Sequence, residues 1–212
     1  MKTNNEFLKD SHGLLDEKFI VTSYNGQTYL RRKPKSIRMA AGMVEQGERI
    51  SAAAALWKAM KAVGLDRAWQ MAAEGYGLTA YNMVVKHCQK AFDGQGFISD
   101  FEKLKLTCGK LQLPDHLVLV HNGRERIDIT WDTPPGTYPK VHETDLFVIA
   151  CMKKADDFAL RIPDIEIFRR KDGHAFLSPE MLPADFPHLF CFFRSEDGKA
   201  YSESKFLIIN NF

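Results

Sequence analysis

A chain of 212 residues has room for one large domain or two small ones, and its 45% hydrophobic content is enough to bury a core, which excludes wholesale disorder. The formal net charge of +2 gives no global reason to expect a polyanionic partner. Residues 1–100 are mildly basic, with 14 Lys and Arg against 10 Asp and Glu, and the remainder is mildly acidic.

The amino-terminal "MKTNNEFLKDSHGLLDEKF" has no apolar core of signal-peptide length and no small-residue cleavage site. No stretch approaches the ~20 apolar residues of a membrane helix. A cytoplasmic protein without membrane contact is the expectation. In chain order, "KFIVTS" and "QTYLRR" flank Tyr24-Asn25-Gly26. Asn-Gly between two β-rich runs predicts a tight hairpin, because a type I′ turn needs positive φ at both central residues. Pro34 ends the second strand, since it has no N–H to donate. Both faces of this hairpin carry large apolar groups, so it must lean on something else.

From Ser36 to about Asp93 the periodicity is helical. Ser51 is the expected N-cap of a helix with Ala53, Leu56, Trp57, Met60 and Val63 on one face. Asp66 is expected to cap a shorter helix, and Thr79 to open a third with Tyr81, Val84, Val85, Cys88 and Phe92 as its stripe. Gly75, Gly77, Gly94 and Gly96 punctuate these segments. After Gly96 the runs "FEKLKLT", "HLVLVHN", "RIDITWD", "DLFVIACM", "IEIFRR", "HLFCFFR" and "KFLII" read as strands separated by turn-rich pieces. The expected fold class is therefore α+β. Residues 1–100 form a β-hairpin and helical segment, and residues 101–212 form an antiparallel sandwich. "LFCFFR" is apolar on both faces, which predicts that the helices cover its outer side.

"RIDITWDTPPG" and "LFCFFRSEDGKAYSES" resemble the second strand and the sixth-strand turn of a fibronectin type III or immunoglobulin-like sandwich, with Trp131 as the core tryptophan. The chain departs from that pattern in offering Leu189 at the start of the sixth strand, where the family carries a tyrosine. The whole chain is also similar to a group of bacterial proteins of about this length. These share an "NGQTYLRRKP"-like hairpin, an Ala-rich helical middle, a "GLTAYN"-like segment and a "SEDGKAYSESKF"-like end. The resemblance implies an architecture and supplies no catalytic residues.

Arg31, Arg32, Lys33, Lys35 and Arg38 place five cations in eight residues, with Tyr24 and Tyr29 beside them. Such a cluster suits phosphates and stacked bases. Strand alternation, however, sends Arg31 and Arg32 to opposite faces, so one flat patch is not expected. The histidines show no metal-ligand spacing, although His116, His121 and His142 are candidates to converge with Asp115 and Glu143 at one end of the sandwich. Cys88, Cys108, Cys151 and Cys191 form no C-x-x-C pair and read as reduced, buried thiols. Asp128, Asp132 and Asp145 read as turn acceptors and solvated strand residues rather than an acid–base pair. Nucleophile-elbow, P-loop and dinucleotide motifs are absent. The expectation is a non-catalytic protein-interaction or assembly protein with no cofactor and no metal. Tyr24, Tyr29, Arg31, Arg32 and Lys33 are its contact residues for a protein partner or a second copy. A nucleic-acid-binding accessory protein using Arg31 to Arg38 is the alternative.

Overall fold

The hairpin signal and the helical stripe both appear in the structure, a computed structural model. It describes residues 2–3, 13–15, 18–24, 27–34, 40–113, 116–122, 126–132, 141–153, 158–164, 167–178 and 186–208. Among these residues, three α-helices and a set of antiparallel sheets make the chain α+β. Two compact units are present, Met1–Ala40 and Ala41–Phe212. The expected boundary near residue 100 falls inside the second unit.

The first unit holds β1 (Lys2–Thr3), β2 (Gly13–Leu15), β3 (Phe19–Tyr24) and β4 (Gln27–Arg32), in the order β1-β4-β3-β2. Strands β3 and β4 pair with Tyr24 opposite Gln27, which leaves only positions 25 and 26 between them. Asn25 and Gly26 themselves, with Lys35 and Arg38, lie outside the described residues.

In the second unit, α1 (Ala41–Ala62) begins ten residues before the expected Ser51 cap. Its first half is held by polar contacts rather than by an apolar stripe. Gln46 bonds Gln89 at 2.9 Å, and Arg49 Nε donates to the Asp93 carbonyl at 3.4 Å. Such contacts leave no buried apolar stripe, so within the helical stretch expected from Ser36 the cap expected at Ser51 falls inside α1 instead of at its start. The stripe itself is as expected, with Ala53, Leu56 and Met60 buried. Helix α2 (Asp66–Ala73) has Asp66 as its first residue rather than its cap, and Asp66 Oδ2 accepts from Gln70 at 3.0 Å. Thr79 does cap α3 (Ala80–Cys88), its hydroxyl accepting the Asn82 N–H at 3.2 Å.

The remaining strands are β5 (Val118–Asn122), β6 (Arg126–Thr130), β7 (Leu146–Met152), β8 (Leu160–Arg161), β9 (Phe168–Arg169), β10 (His174–Leu177), β11 (His188–Arg194) and β12 (Lys205–Ile208). One sheet runs β10-β6-β5 and another β12-β11-β7-β8, with β9 also beside β7. "FEKLKLT" is not a strand. Asp100 Oδ1 accepts the N–H groups of Glu102 and Lys103 and closes a turn there. Further on, Leu106 N–H donates to Ser204 Oγ at 2.8 Å instead of to a neighbouring strand. Only the last part of "IEIFRR" is described as strand, and "HAFL", β10, pairs with β6.

Two buried clusters follow from strand parity. Ile127, Ile129, Ala175 and Leu177 of one sheet share a cluster with Phe147, Ile149, Leu189, Cys191 and Phe193 of the other. Trp131 belongs to it, stacked on Phe147 at 4.3 Å and edge-on to Phe193 at 5.7 Å. Its indole N–H donates to the Arg170 carbonyl at 2.9 Å. On the opposite parity, Ala150, Met152, Phe190 and Phe192 join Leu56, Met60, Trp69, Val84 and Cys88. The helices therefore cover the outer face of β11, as its two apolar faces require.

Trp131→Ala removes an indole that is only 4% exposed and orphans the Arg170 carbonyl. The expected loss is roughly 3–5 kcal/mol in urea unfolding, as for other large-to-small core changes. Gly109→Ala is expected to destabilise by a different route. A Cβ there would stand 2.0 Å from the Tyr201 carbonyl oxygen, so backbone must move. A loss of about 1–3 kcal/mol in the same assay is the expected size for such overpacking.

Candidate functional site

Every predicted contact residue belongs to the first unit, and its strand register decides which of them meet. Residues directly opposite each other across antiparallel strands share a face. Arg32 lies opposite Phe19, which lies opposite Leu15; Arg31 lies opposite Ile20, which lies opposite Leu14. Two rows result, one on each face, each running from an arginine on β4 through an apolar residue on β3 to a leucine on β2. With strands ~4.8 Å apart, each row spans about 10 Å.

The leucine ends are exposed. Leu14 is 64% exposed, and Leu15 and Phe19 are open as well. Strand β2 is an edge strand among the described residues. An apolar edge of this kind is a template for pairing with another chain. Arg31 and Arg32 are exposed at the far ends of the rows. Lys33 is exposed beyond β4, its N–H donating to the Lys18 carbonyl at 2.7 Å. Tyr29 shares the Arg31 face, and its hydroxyl donates to Gln27 Oε1 at 2.8 Å. Tyr24 closes the strand opposite Gln27, and its side chain lies outside the described residues. The register thus brings Tyr29 and Arg31 to one face and sends Arg32 to the other.

The other candidates fall in the second unit. Asp145 is not the solvated strand residue expected from sequence. It is 1% exposed, and its Oδ2 accepts from Arg170 Nε and from the His142 N–H, both at 3.1 Å. Arg170 also donates to the Gln112 carbonyl at 2.8 Å, and its Cζ sits 3.9 Å from the centre of the Phe193 ring. Residues this polar in a core are tolerated because each charge has a partner. No periodicity marks the pair, since Asp145 and Arg170 are 25 positions apart. Asp132 is exposed and bonded to His116 at 2.8 Å, and half-buried Asp128 pairs with Arg126.

His116 is engaged with Asp132 rather than with His142, and the side chain of His121 and all of Asp115 lie outside the described residues. Among the described residues, no three His, Cys, Asp or Glu side chains gather in a metal-ligating group. The four cysteines are free thiols. Burial pushes those of Cys88 and Cys151 up to about 12 and raises Cys191 and Cys108 as well, so all four are protonated at neutral pH. Cys108 is half-buried rather than buried, in the wall of a cleft that also holds Lys86, His87 and Lys110. That cleft was invisible in the sequence, because its walls come from four separate segments. Among the described residues, no helix is long and apolar enough to cross a membrane.

No family model matches the chain, and neither a curated protein nor a solved structure matches it.

Removing one partner of the Asp145–Arg170 pair leaves a buried charge uncompensated. Arg170→Met is expected to cost roughly 3–5 kcal/mol in denaturant unfolding. Asp145→Leu combined with Arg170→Met is expected to recover most of that loss, which a double-mutant cycle reads directly.

Proposed function

We propose that the protein is a non-catalytic interaction or assembly module that associates through the edge of its amino-terminal sheet. The observation that carries this reading is the exposed apolar edge strand, with Leu14 and Leu15 at its rim and Phe19 and Ile20 behind them. A second copy of the chain, or a protein partner, adds a strand against β2 and buries these side chains. Arg31 and Arg32 stand at the opposite ends of the same rows, about 10 Å from the leucines, and with Lys33 they act on approach and register by charge rather than supply affinity. The nucleic-acid alternative is less well supported. A phosphate-binding surface needs its cations on one side, and the register divides Arg31 from Arg32.

The second unit is read as the scaffold. The single cluster shared by the inner parities of two antiparallel sheets, with Trp131 inside it, supports a fibronectin III or immunoglobulin-like sandwich. Free thiols on neighbouring strands, Cys151 and Cys191, support a reducing compartment such as the cytoplasm.

Leu14→Asp with Leu15→Asp tests the assembly. Light scattering is expected to show the wild-type chain as an oligomer, or bound to its partner, and the variant as a monomer. A wild-type chain that stays monomeric and captures no protein would reject the reading. Replacing Arg31, Arg32 and Lys33 by Gln is expected to leave binding to random DNA and RNA unchanged. Polynucleotide affinity that falls steeply with salt in the wild type and vanishes in this variant would put the nucleic-acid reading in its place.

A further inference from the structure

Helices α2 and α3 lie on one side of a cleft of about 510 Å³, and the chain at 108–111 and 199–201 lies on the other. We propose that this cleft binds a small organic anion, an acidic head on a compact apolar body. Its size is that of an ordinary small-molecule site.

The floor is apolar. Ala68, Met83, Leu111 and Tyr201 are buried there, and Met71 and Ala72 are half-buried beside them. The rim is cationic. Lys86, Lys110 and Lys199 line it against the single carboxylate of Glu74. Lys199 is paired with Asp197 at 3.5 Å, whereas Lys86 and Lys110 make no ion pair among the described residues. Lys86 and Lys110, unpaired among the described residues and set above an apolar floor, complement an anion that carries hydrocarbon. They do not complement a bare apolar group, which gains nothing from them, or a bare inorganic anion, which gains nothing from the floor.

A further polar group faces the same space. The half-buried His87 ring packs on Trp69 with ring centres 5.8 Å apart and has no hydrogen bond to any described residue. Burial, and then the neighbouring Lys86, lowers its pKa, so it is neutral at pH 7 and can give one hydrogen bond to the acidic head. Trp69 is held from behind by its own indole N–H, which donates to the Leu106 carbonyl at 2.8 Å. The opposite wall is equally fixed. Gly109 lies so close to the Tyr201 carbonyl that a Cβ would not fit, and Leu111 N–H donates to that same carbonyl at 3.0 Å. A site with pre-set walls loses little entropy on binding.

The test uses the full chain and naphthoate as the probe, with naphthylmethanol supplying the body without charge and inorganic phosphate supplying charge without the body. Amide resonances of Lys86, Gly109 and Lys110 are expected to shift on titration with naphthoate at millimolar concentration or below, and far less with either control. Lys86→Gln with Lys110→Gln is expected to weaken naphthoate binding about tenfold, in line with the loss of charge-assisted contacts. Lys86→Arg with Lys110→Arg is expected to retain it. Equal binding of naphthylmethanol, unchanged affinity in the Gln variant, loss of binding in the Arg variant, or no shift at these amides would each overturn the proposal.

Discussion

Strand β11 is apolar on both faces, and the layering of the second unit follows from that. It pairs along its whole length with β7 and over His188–Cys191 with β12, and beyond that Ser202 takes over, its Oγ accepting the Phe193 N–H at 2.8 Å and its own N–H donating to the Phe193 carbonyl at 2.9 Å. Its side chains alternate between two destinations. Leu189, Cys191 and Phe193 enter the cluster shared with the three-stranded sheet, and Phe190 and Phe192 enter the cluster built with the helices. A strand that reads as a continuous apolar run cannot leave either side to water, because burying each large side chain is worth roughly 1.5–3 kcal/mol. One sheet covered from both directions is the only arrangement that meets this demand, and the helices are the material available for the second side.

Such layering creates buried polar groups that need partners, and these decide how the connecting chain runs. The segment after Phe101 enters the interior with its backbone exposed to no strand. Ser204 Oγ receives the Leu106 N–H, and the Thr107 hydroxyl donates to the Ser202 carbonyl at 2.9 Å. Both indoles buried in the clusters solve the same problem with a carbonyl: Trp69 uses Leu106 and Trp131 uses Arg170. Arg170 then links the turn after β9 to Asp145, Gln112 and the Phe193 ring. Burying that charge pair is costly, and its directional bonds tie the turn after β9 to the chain before β7 and to Gln112.

Function is read from what this packing leaves unsatisfied. The interior of the second unit is closed around β11, and among the described residues of the first unit the exposed apolar groups, Leu14, Leu15 and Phe19, lie on β2 and its neighbour β3. The cleft beside α2 and α3 has the opposite character, with its apolar groups recessed and its cations outside. One surface suits a macromolecule that adds backbone hydrogen bonds along an edge. The other suits a molecule small enough to reach a floor. Burial holds the Cys88, Cys151 and Cys191 thiols in their protonated form.

Sequence by itself determined the local elements wherever one period dominated. The Tyr24–Gln27 closure, the Ala53–Leu56–Met60 stripe and the Thr79 cap were all legible, because each depends on neighbours a few positions away. The double-sided burial of β11 was legible too, since apolar residues at consecutive strand positions admit no solvated face. Tertiary structure alone decided the rest. The first half of α1 is held by Gln89 and Asp93 and buries no apolar stripe of its own, so a helical stretch was legible from Ser36 but the start of the helix was placed at Ser51. "FEKLKLT" has the composition of a strand and is denied one, because its Leu106 and Thr107 N–H groups donate to a single hydroxyl, Ser204 Oγ, about a hundred residues away. Asp145 looked solvated because its partner Arg170 comes from another turn of the chain, and the walls of the cleft come from segments that meet only after the helices have docked. Short-range periodicity can be read along a chain, whereas the pairing of a charge or the closing of a pocket is a property of distances that exist only after folding.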